Sequence, residues 1–219
     1  MPITRLPNGK LLYFAHVPKA AGTAVEEYLV TRFGRLGLLD RGFGRRSAAE
    51  AWTYGPPQHM PEAVRRDLLP DRLFDAMFAT VRHPATRLRS AYLFARDHEG
   101  SVPKGVTFPV WVRGLPRTLA TDPGAANGHV RPMVDIVPPR AAVFRIEDGL
   151  TPVVTWLDQR AGKADGPREI APKNRIRDVL ADRDMPVEEI ALTGKICAEI
   201  AEIYAADYAR FGYDAVPPA

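Results

Sequence analysis

The sequence has one cysteine among its 219 residues, Cys197, so no disulfide can form within the chain. An oxidising compartment therefore has no support. Cys197 lies in an apolar helical pattern, which predicts a buried, inert thiol. No stretch approaches the roughly 18 uninterrupted apolar residues of a membrane span, and the first ten residues lack the apolar segment of a signal peptide. We therefore expect a soluble, cytoplasmic protein.

Long runs of like charge are also missing. The 30 Lys and Arg residues exceed the 26 Asp and Glu residues by four, a mild excess that is spread along the chain. Such a distribution is poor evidence for nucleic-acid binding, and we expect no nucleic-acid partner. It is compatible with a basic cleft for an anionic cofactor. The length, the 46% hydrophobic content and the absence of a repeat or linker predict a single domain over residues 1–219.

The nucleotide-binding pattern G-x-x-x-x-G-K-[ST] is absent as well. In its place, residues 14–29 read FAHVPKAAGTAVEEYL. An apolar run at residues 11–16 precedes a small-residue turn and then apolar residues at helical spacing, so we predict a strand, a turn and a helix that ends near Gly34. Backbone N–H groups at such a turn, together with Lys19, can bind a phosphate-like group.

A second strand-to-helix junction lies at residues 73–96, LFDAMFATVRHPATRLRSAYLFAR. The strand is predicted to end near Val81, and Pro84 suits the first turn of the following helix. The apolar residues of that helix fall at spacings of three, four and seven, and we expect them to face the core: Leu88, Ala91, Tyr92 and Ala95.

Both junctions resemble the cofactor loops of sulfotransferases that use 3′-phosphoadenosine 5′-phosphosulfate, especially the carbohydrate sulfotransferases. The form P-K-x-x-G-T resembles their 5′-phosphosulfate loop, and VRHPATRLRSAY resembles their 3′-phosphate loop. The resemblance implies that the 5′ group is held by Lys19, Ala20, Ala21, Gly22 and Thr23. It also implies that Arg82 and Ser90 hold the 3′-phosphate, with adenosine 3′,5′-bisphosphate as the product and no metal.

Two positions depart from the family pattern. Ala21 replaces the first Gly of the usual P-K-x-G-G-T, so its methyl group either crowds a backbone that needs positive φ or sits in an ordinary helical entry. His83 replaces the usual acid or amide after Arg82, which affects how Arg82 is oriented.

Further elements extend the resemblance to about residues 11–214. We predict a short helix at residues 61–69 with Ala63, Val64 and Leu68 inward, a helix near residues 108–119, a third strand at residues 141–146 with a helix after it, and one long helix over residues 187–211. The expected fold is α/β, a central parallel sheet of three strands flanked by helices, as in the P-loop-like sulfotransferases.

The chemistry needs a cation for the leaving group and a base for the acceptor. Lys19 suits the first task. His59, within GPPQHMPE, lies near the place where many relatives carry a "G-H" motif whose histidine takes the acceptor's proton. Other candidate bases are Glu26, Glu27, His16, His83 and His129, although His16 and His83 are better interpreted as structural or adjacent to the cofactor.

The expected function is therefore sulfuryl transfer from 3′-phosphoadenosine 5′-phosphosulfate to a hydroxyl of a saccharide or other small polar acceptor. A P-loop kinase is disfavoured by the missing G-K-[ST] and by the lack of a clear magnesium carboxylate after a strand. A nucleotide-binding relative without turnover is the other alternative. The sequence indicates neither the acceptor nor the oligomeric state.

Overall fold

The computed structural model describes residues 2–43, 47–50, 55–122, 124–173 and 188–217. Within these ranges the strands are β1 Ile3–Arg5, β2 Leu11–Ala15, β3 Ala76–Val81 and β4 Ala142–Arg145. The α-helices in the same ranges are α1 Gly22–Phe33, α2 Glu62–Leu68, α3 Pro84–Leu93, α4 Phe108–Thr121, α5 Thr151–Ala161, α6 Gly194–Ile203 and α7 Ala205–Phe211.

The four strands form one sheet in the order β1-β2-β3-β4. β2, β3 and β4 are parallel, with Phe14 opposite Phe78, whereas β1 is antiparallel to β2. The predicted α/β class and the three parallel strands are confirmed. The prediction missed β1, because a three-residue strand is too short to show a periodic pattern.

The chain folds into two compact units. The first comprises Met1–Val81 and Met133–Lys173, and it contains the whole sheet with α1, α2 and α5. The second comprises Arg82–Pro132 and Asn174–Ala219, and its described regular structure is helical. The assignment of a single domain stays a prediction.

In the first unit, both faces of β2 are covered. Leu12 and Phe14 belong to a buried apolar cluster with residues of α1 and α5, among them Val25, Leu29, Val153 and Leu157. Tyr13 points to the other face, where its ring contacts Phe74 at 5.3 Å between centroids and lies 5.8 Å from the guanidinium carbon of Arg65 in α2. Alternation along a strand produces this division.

Helix α2 forms where it was predicted, but its inward face was predicted wrongly. Val64 and Leu68 are 43% and 55% exposed, and Ala63 is exposed too, whereas Arg65 is fully buried. The Arg65 guanidinium binds the Glu62 carboxylate and donates to the Leu69 carbonyl at 2.8 Å. An apolar stem with satisfied polar ends makes arginine a core residue here.

In the second unit, α3 packs with α4 and α6. The predicted inward face of α3 is confirmed, since Leu88, Ala91, Tyr92 and Ala95 are all buried. Cys197 of α6 belongs to the same core, and burial raises the pKa of its thiol. The inert interpretation of this cysteine agrees with its burial, because the reactive form of cysteine is the thiolate.

The long C-terminal helix was predicted incorrectly. α6 begins at Gly194, where the Thr193 hydroxyl accepts a hydrogen bond from the Ile196 N–H, and helical geometry is interrupted at Tyr204 (φ −111°, ψ 29°) before α7. The Tyr204 hydroxyl donates to the Val130 carbonyl at 2.6 Å. This tertiary bond holds Tyr204 outside the regular helix, and periodicity alone does not reveal it. Residue 187, the predicted start of the long helix, lies outside the described residues.

Among the described residues, no helix combines the length and the apolar character required to cross a membrane.

Candidate functional site

The first predicted loop follows the carboxyl end of β2 and leads into α1. Residues 18–21 form the turn, and α1 begins at Gly22, whereas the turn was expected to extend from Ala20 to Thr23. Thr80 of the neighbouring strand β3 is buried, and its hydroxyl donates to the Ala20 carbonyl at 2.6 Å. The turn is therefore fixed to the edge of the sheet at which open parallel sheets bind ligands.

The backbone of this turn is strained at two positions. Lys19 has φ 64° and Ala21 has φ 63°, both in the left-handed region, while Ala20 between them does not. The position of Ala21 therefore does need positive φ, and the ordinary helical entry considered from the sequence is not adopted. Strain of roughly 1–3 kcal/mol per residue persists mainly where function requires it. Left-handed residues in such a turn can allow neighbouring backbone N–H groups to face an anion.

No side chain caps the start of α1. Its N-cap residue is Ala21, which makes no side-chain hydrogen bond to the helix. The N–H groups of the first helical turn, at Gly22 and Thr23, consequently keep the capacity to bind an anion that lies on the helix axis. Lys19 and Thr23 are partly exposed beside them. These residues fit the 5′-phosphosulfate group that the motif implies.

A buried His–Glu pair lies directly against this loop. The Nδ1 atom of His16 is 2.5 Å from Oε1 of Glu26, and the two residues are only 6% and 4% exposed. A Cβ atom at Gly22 would lie 2.0 Å from Nε2 of His16, so only glycine leaves room for the imidazole. Glu26 lies one turn after Gly22, and a helical side chain points back towards the N-terminus.

His59 joins the same cluster. It ends a short 3₁₀ turn, Pro57–His59, and is partly buried. Its ring meets the ring of His16 edge to face, with 4.8 Å between centroids. We call residues 18–23 the 5′ loop, after the group that the motif implies they bind. The structure brings this loop and the predicted base His59 together, and His16 contacts both. From the sequence, His16 and Glu26 are separate candidates, and their pairing is not predicted because it depends on how β2 packs against α1.

Arg82 and Ser90, the predicted 3′-phosphate ligands, belong to the second unit. Arg82 follows β3 directly and precedes α3, and Ser90 lies in α3; both are partly exposed. The Nε atom of Arg82 donates to the Thr86 hydroxyl at 3.1 Å, and that hydroxyl donates to the His83 carbonyl at 3.1 Å. The loop itself therefore orients the guanidinium.

His83 serves as the cap of α3. Its Nδ1 atom accepts a hydrogen bond from the Ala85 N–H at 3.2 Å, so the proton is on Nε2, which donates to the Asp214 carbonyl at 2.9 Å. Rings of Tyr208 and Tyr213 contact it edge to face. His83 thus performs the capping role of an acid or amide at this position, and the structural interpretation of this histidine is supported.

Arg87 is a structural residue that the sequence did not reveal. It is fully buried, and its guanidinium donates to the carbonyls of His129 and Arg131 at 3.0 and 2.9 Å. It also lies 4.0 Å from the buried carboxylate of Asp207. The conspicuous Arg of the R-x-x-S spacing therefore connects α3 to residues 129–131 and to α7.

The remaining candidate bases have other surroundings. Glu27 is half-exposed and lies 3.4 Å from the Lys173 ammonium. His129 is buried in the second unit, where its ring packs edge to face on Phe94. Over the described part of the chain, no cluster of three or more His, Cys, Asp or Glu side chains could hold a metal ion.

Comparison with known proteins does not extend the assignment. The chain matches no protein-family model and has no significant match among curated proteins or solved structures. Evidence for function therefore comes from the two motifs and from the geometry of each loop.

Proposed function

We propose that this protein is a sulfotransferase of P-loop-like fold. It would transfer a sulfuryl group from 3′-phosphoadenosine 5′-phosphosulfate to a hydroxyl of a saccharide or other small polar acceptor. The observation that carries the proposal is the contact of His16 with both Gly22 of the 5′ loop and the ring of His59. This contact links an anion site to a candidate base within one unit. A cytoplasmic location is part of the proposal.

The donor supplies an activated sulfuryl group: its sulfur bonds to the acceptor oxygen, while its S–O bond to the 5′-phosphate breaks and leaves the electron pair on the phosphate oxygen. The first-turn N–H groups of α1 and the Lys19 ammonium stabilise charge at the 5′ group. An imidazole nitrogen of His59 takes the acceptor's hydroxyl proton. Catalysis of this kind depends mainly on positioning and electrostatics.

The junction between β3 and α3, with Arg82 and Ser90, contributes affinity for the nucleotide. Arg82, oriented by Thr86, is suited to a charge-assisted hydrogen bond with the 3′-phosphate, and Ser90 supplies a hydroxyl. No magnesium ion is part of the proposal, because the pattern G-K-[ST] that supplies its hydroxyl ligand is missing.

A transfer assay with donor labelled in its sulfuryl group, against a broad panel of saccharides and small alcohols, tests the proposal. Lys19→Ala should lower kcat by roughly 100- to 1,000-fold and change affinity for the product nucleotide much less, since its charge matters most in the transition state.

His59→Ala should lower kcat by roughly 100-fold or more with nucleotide affinity nearly unchanged. Lys10→Ala, an exposed lysine of the same unit, is the control.

Full turnover of Lys19→Ala at saturating donor would contradict the role of that lysine. Binding of the bisphosphate without transfer to any acceptor would favour the non-catalytic relative, and magnesium-dependent phosphoryl transfer from ATP would favour the kinase.

A further inference from the structure

A buried pair of ionisable side chains lies beside the 5′ loop. Glu26 is 4% exposed, and Oε1 of its carboxylate lies 2.5 Å from Nδ1 of His16. A buried pair of ionisable groups is on average no more stabilising than apolar residues of the same volume, because both groups lose their water. Packing alone therefore does not account for the choice of these two residues.

The contacts of His16 fix the orientation of its imidazole ring. Its Nδ1 side is held by Glu26 of α1, its ring covers the backbone of Gly22, and its face stacks on Phe14 of β2 with 5.8 Å between centroids. The remaining described contact is the edge-to-face meeting with His59. The imidazole is thus fixed from the strand and from the helix, and it presents a fixed surface to His59.

We propose that His16 and Glu26 are positioning residues for His59. The Glu26 carboxylate fixes the orientation of the His16 ring, and the His16 ring in turn fixes the orientation of the His59 ring relative to the 5′ loop. The arrangement follows the general logic by which a base is oriented through a further group. This inference rests on the proposed function for its catalytic consequence, but the ring orientation itself is independent of any reaction.

Glu26→Gln is the variant of choice, because it keeps the shape of the side chain and removes its charge. Glu27→Gln is the matched control: it is the same substitution at the next residue of α1, where the carboxylate is half-exposed beside Lys173. In the Glu26 variant, kcat should fall by about 10- to 100-fold, the range seen when the partner that orients a metal-binding imidazole is removed. KM for the donor and the thermal shift with adenosine 3′,5′-bisphosphate should change less than threefold.

A double-mutant cycle separates positioning from a general loss of structure. If Glu26 acts through His59, adding Glu26→Gln to His59→Ala should lower kcat by no more than about twofold. Loss of the full 10- to 100-fold again in the His59→Ala background would overturn the proposal. Equal kcat for Glu26→Gln and Glu27→Gln would overturn it as well.

A second readout does not depend on activity. The imidazole ring signals of His59, followed by nuclear magnetic resonance, should shift in Glu26→Gln and stay in place in Glu27→Gln. Unchanged His59 signals in Glu26→Gln would overturn the positioning role. If the wild-type protein transfers no sulfuryl group but the His59 signals shift as expected, the proposed function fails and the positioning contact stands. Should Glu26→Gln not fold, Glu26→Asp carries the same measurements.

Discussion

At the scale of single residues, two neighbours in the 5′ loop make opposite demands. Gly22 must lack a side chain because the His16 imidazole occupies the space of its Cβ, whereas Ala21 carries a methyl group in a conformation that favours glycine. The motif P-K-x-x-G-T includes both positions, so their importance could be predicted from the sequence. The φ of Ala21 and the neighbour of Gly22 could not be predicted, because each depends on the packing of β2 against α1.

Gly22→Ala should destabilise the protein by roughly 1–3 kcal/mol, because the added methyl group overlaps the His16 ring and forces the His16–Glu26 pair apart. Urea unfolding measures the change. Gly114→Ala is the control, since nothing lies within 4 Å of its Cβ position in α4 and alanine is the better helix former. Equal effects of the two substitutions would contradict the close contact at Gly22.

Ala21→Gly should stabilise the protein by roughly 0.5–1 kcal/mol, because release of left-handed strain exceeds the entropic cost of glycine. Ala20→Gly, the same substitution one position earlier, should instead destabilise it, since Ala20 is buried and has no positive φ. Thermal unfolding of the two variants provides the comparison. A destabilised Ala21→Gly variant would show that the methyl group contributes more by packing than it costs in strain.

At the scale of elements, strands and helices with strong periodicity were predicted well. β2, β3, β4, α1, α3 and α5 all lie where the sequence indicates. The failures share one cause: β1, the buried Arg65 and the interruption at Tyr204 depend on tertiary partners, namely β2, Tyr13 and Val130. Periodicity reports which face of a segment is apolar and does not report such partners.

The cap of α3 yields a prediction at this scale. His83→Ala should lower stability by about 1–2 kcal/mol, because the Ala85 N–H loses its acceptor and the Asp214 carbonyl loses its donor. His83→Asn should recover part of the loss, since asparagine is a good N-cap residue. Denaturant unfolding of the two variants is the measurement. If His83→Asn is no more stable than His83→Ala, the cap contributes little and the tyrosine contacts dominate.

At the scale of the whole molecule, the chain alternates between the two units. The 5′ loop with Lys19 belongs to the first unit, and Arg82 with Ser90 belongs to the second. The sequence itself shows the order of the two motifs, and it predicts that a helix follows each of them. The surroundings of each loop could not be predicted. His16 and Glu26 form a buried pair, and Arg87 is buried against segments that are distant in sequence.

The nucleotide preference tests the central claim most directly. If Lys19 with the N–H groups of residues 21–23 binds a 5′ group and Arg82 with Ser90 binds a 3′-phosphate, a nucleotide without the 3′-phosphate lacks the contacts of Arg82 and Ser90. A lost charge-assisted hydrogen bond costs roughly 1.5–3 kcal/mol, or about a tenfold or greater loss of affinity. A thermal-shift titration with adenosine 3′,5′-bisphosphate, 5′-AMP and ATP with magnesium measures this difference.

The bisphosphate should raise Tm well above the values reached with 5′-AMP or ATP, and magnesium should not be required. Arg82→Ala should abolish the preference and leave weak binding of all three nucleotides, while Arg117→Ala, an exposed arginine of α4, should preserve it. Stronger stabilisation by ATP with magnesium, or no response to any of the three nucleotides, would contradict the assignment of the cofactor.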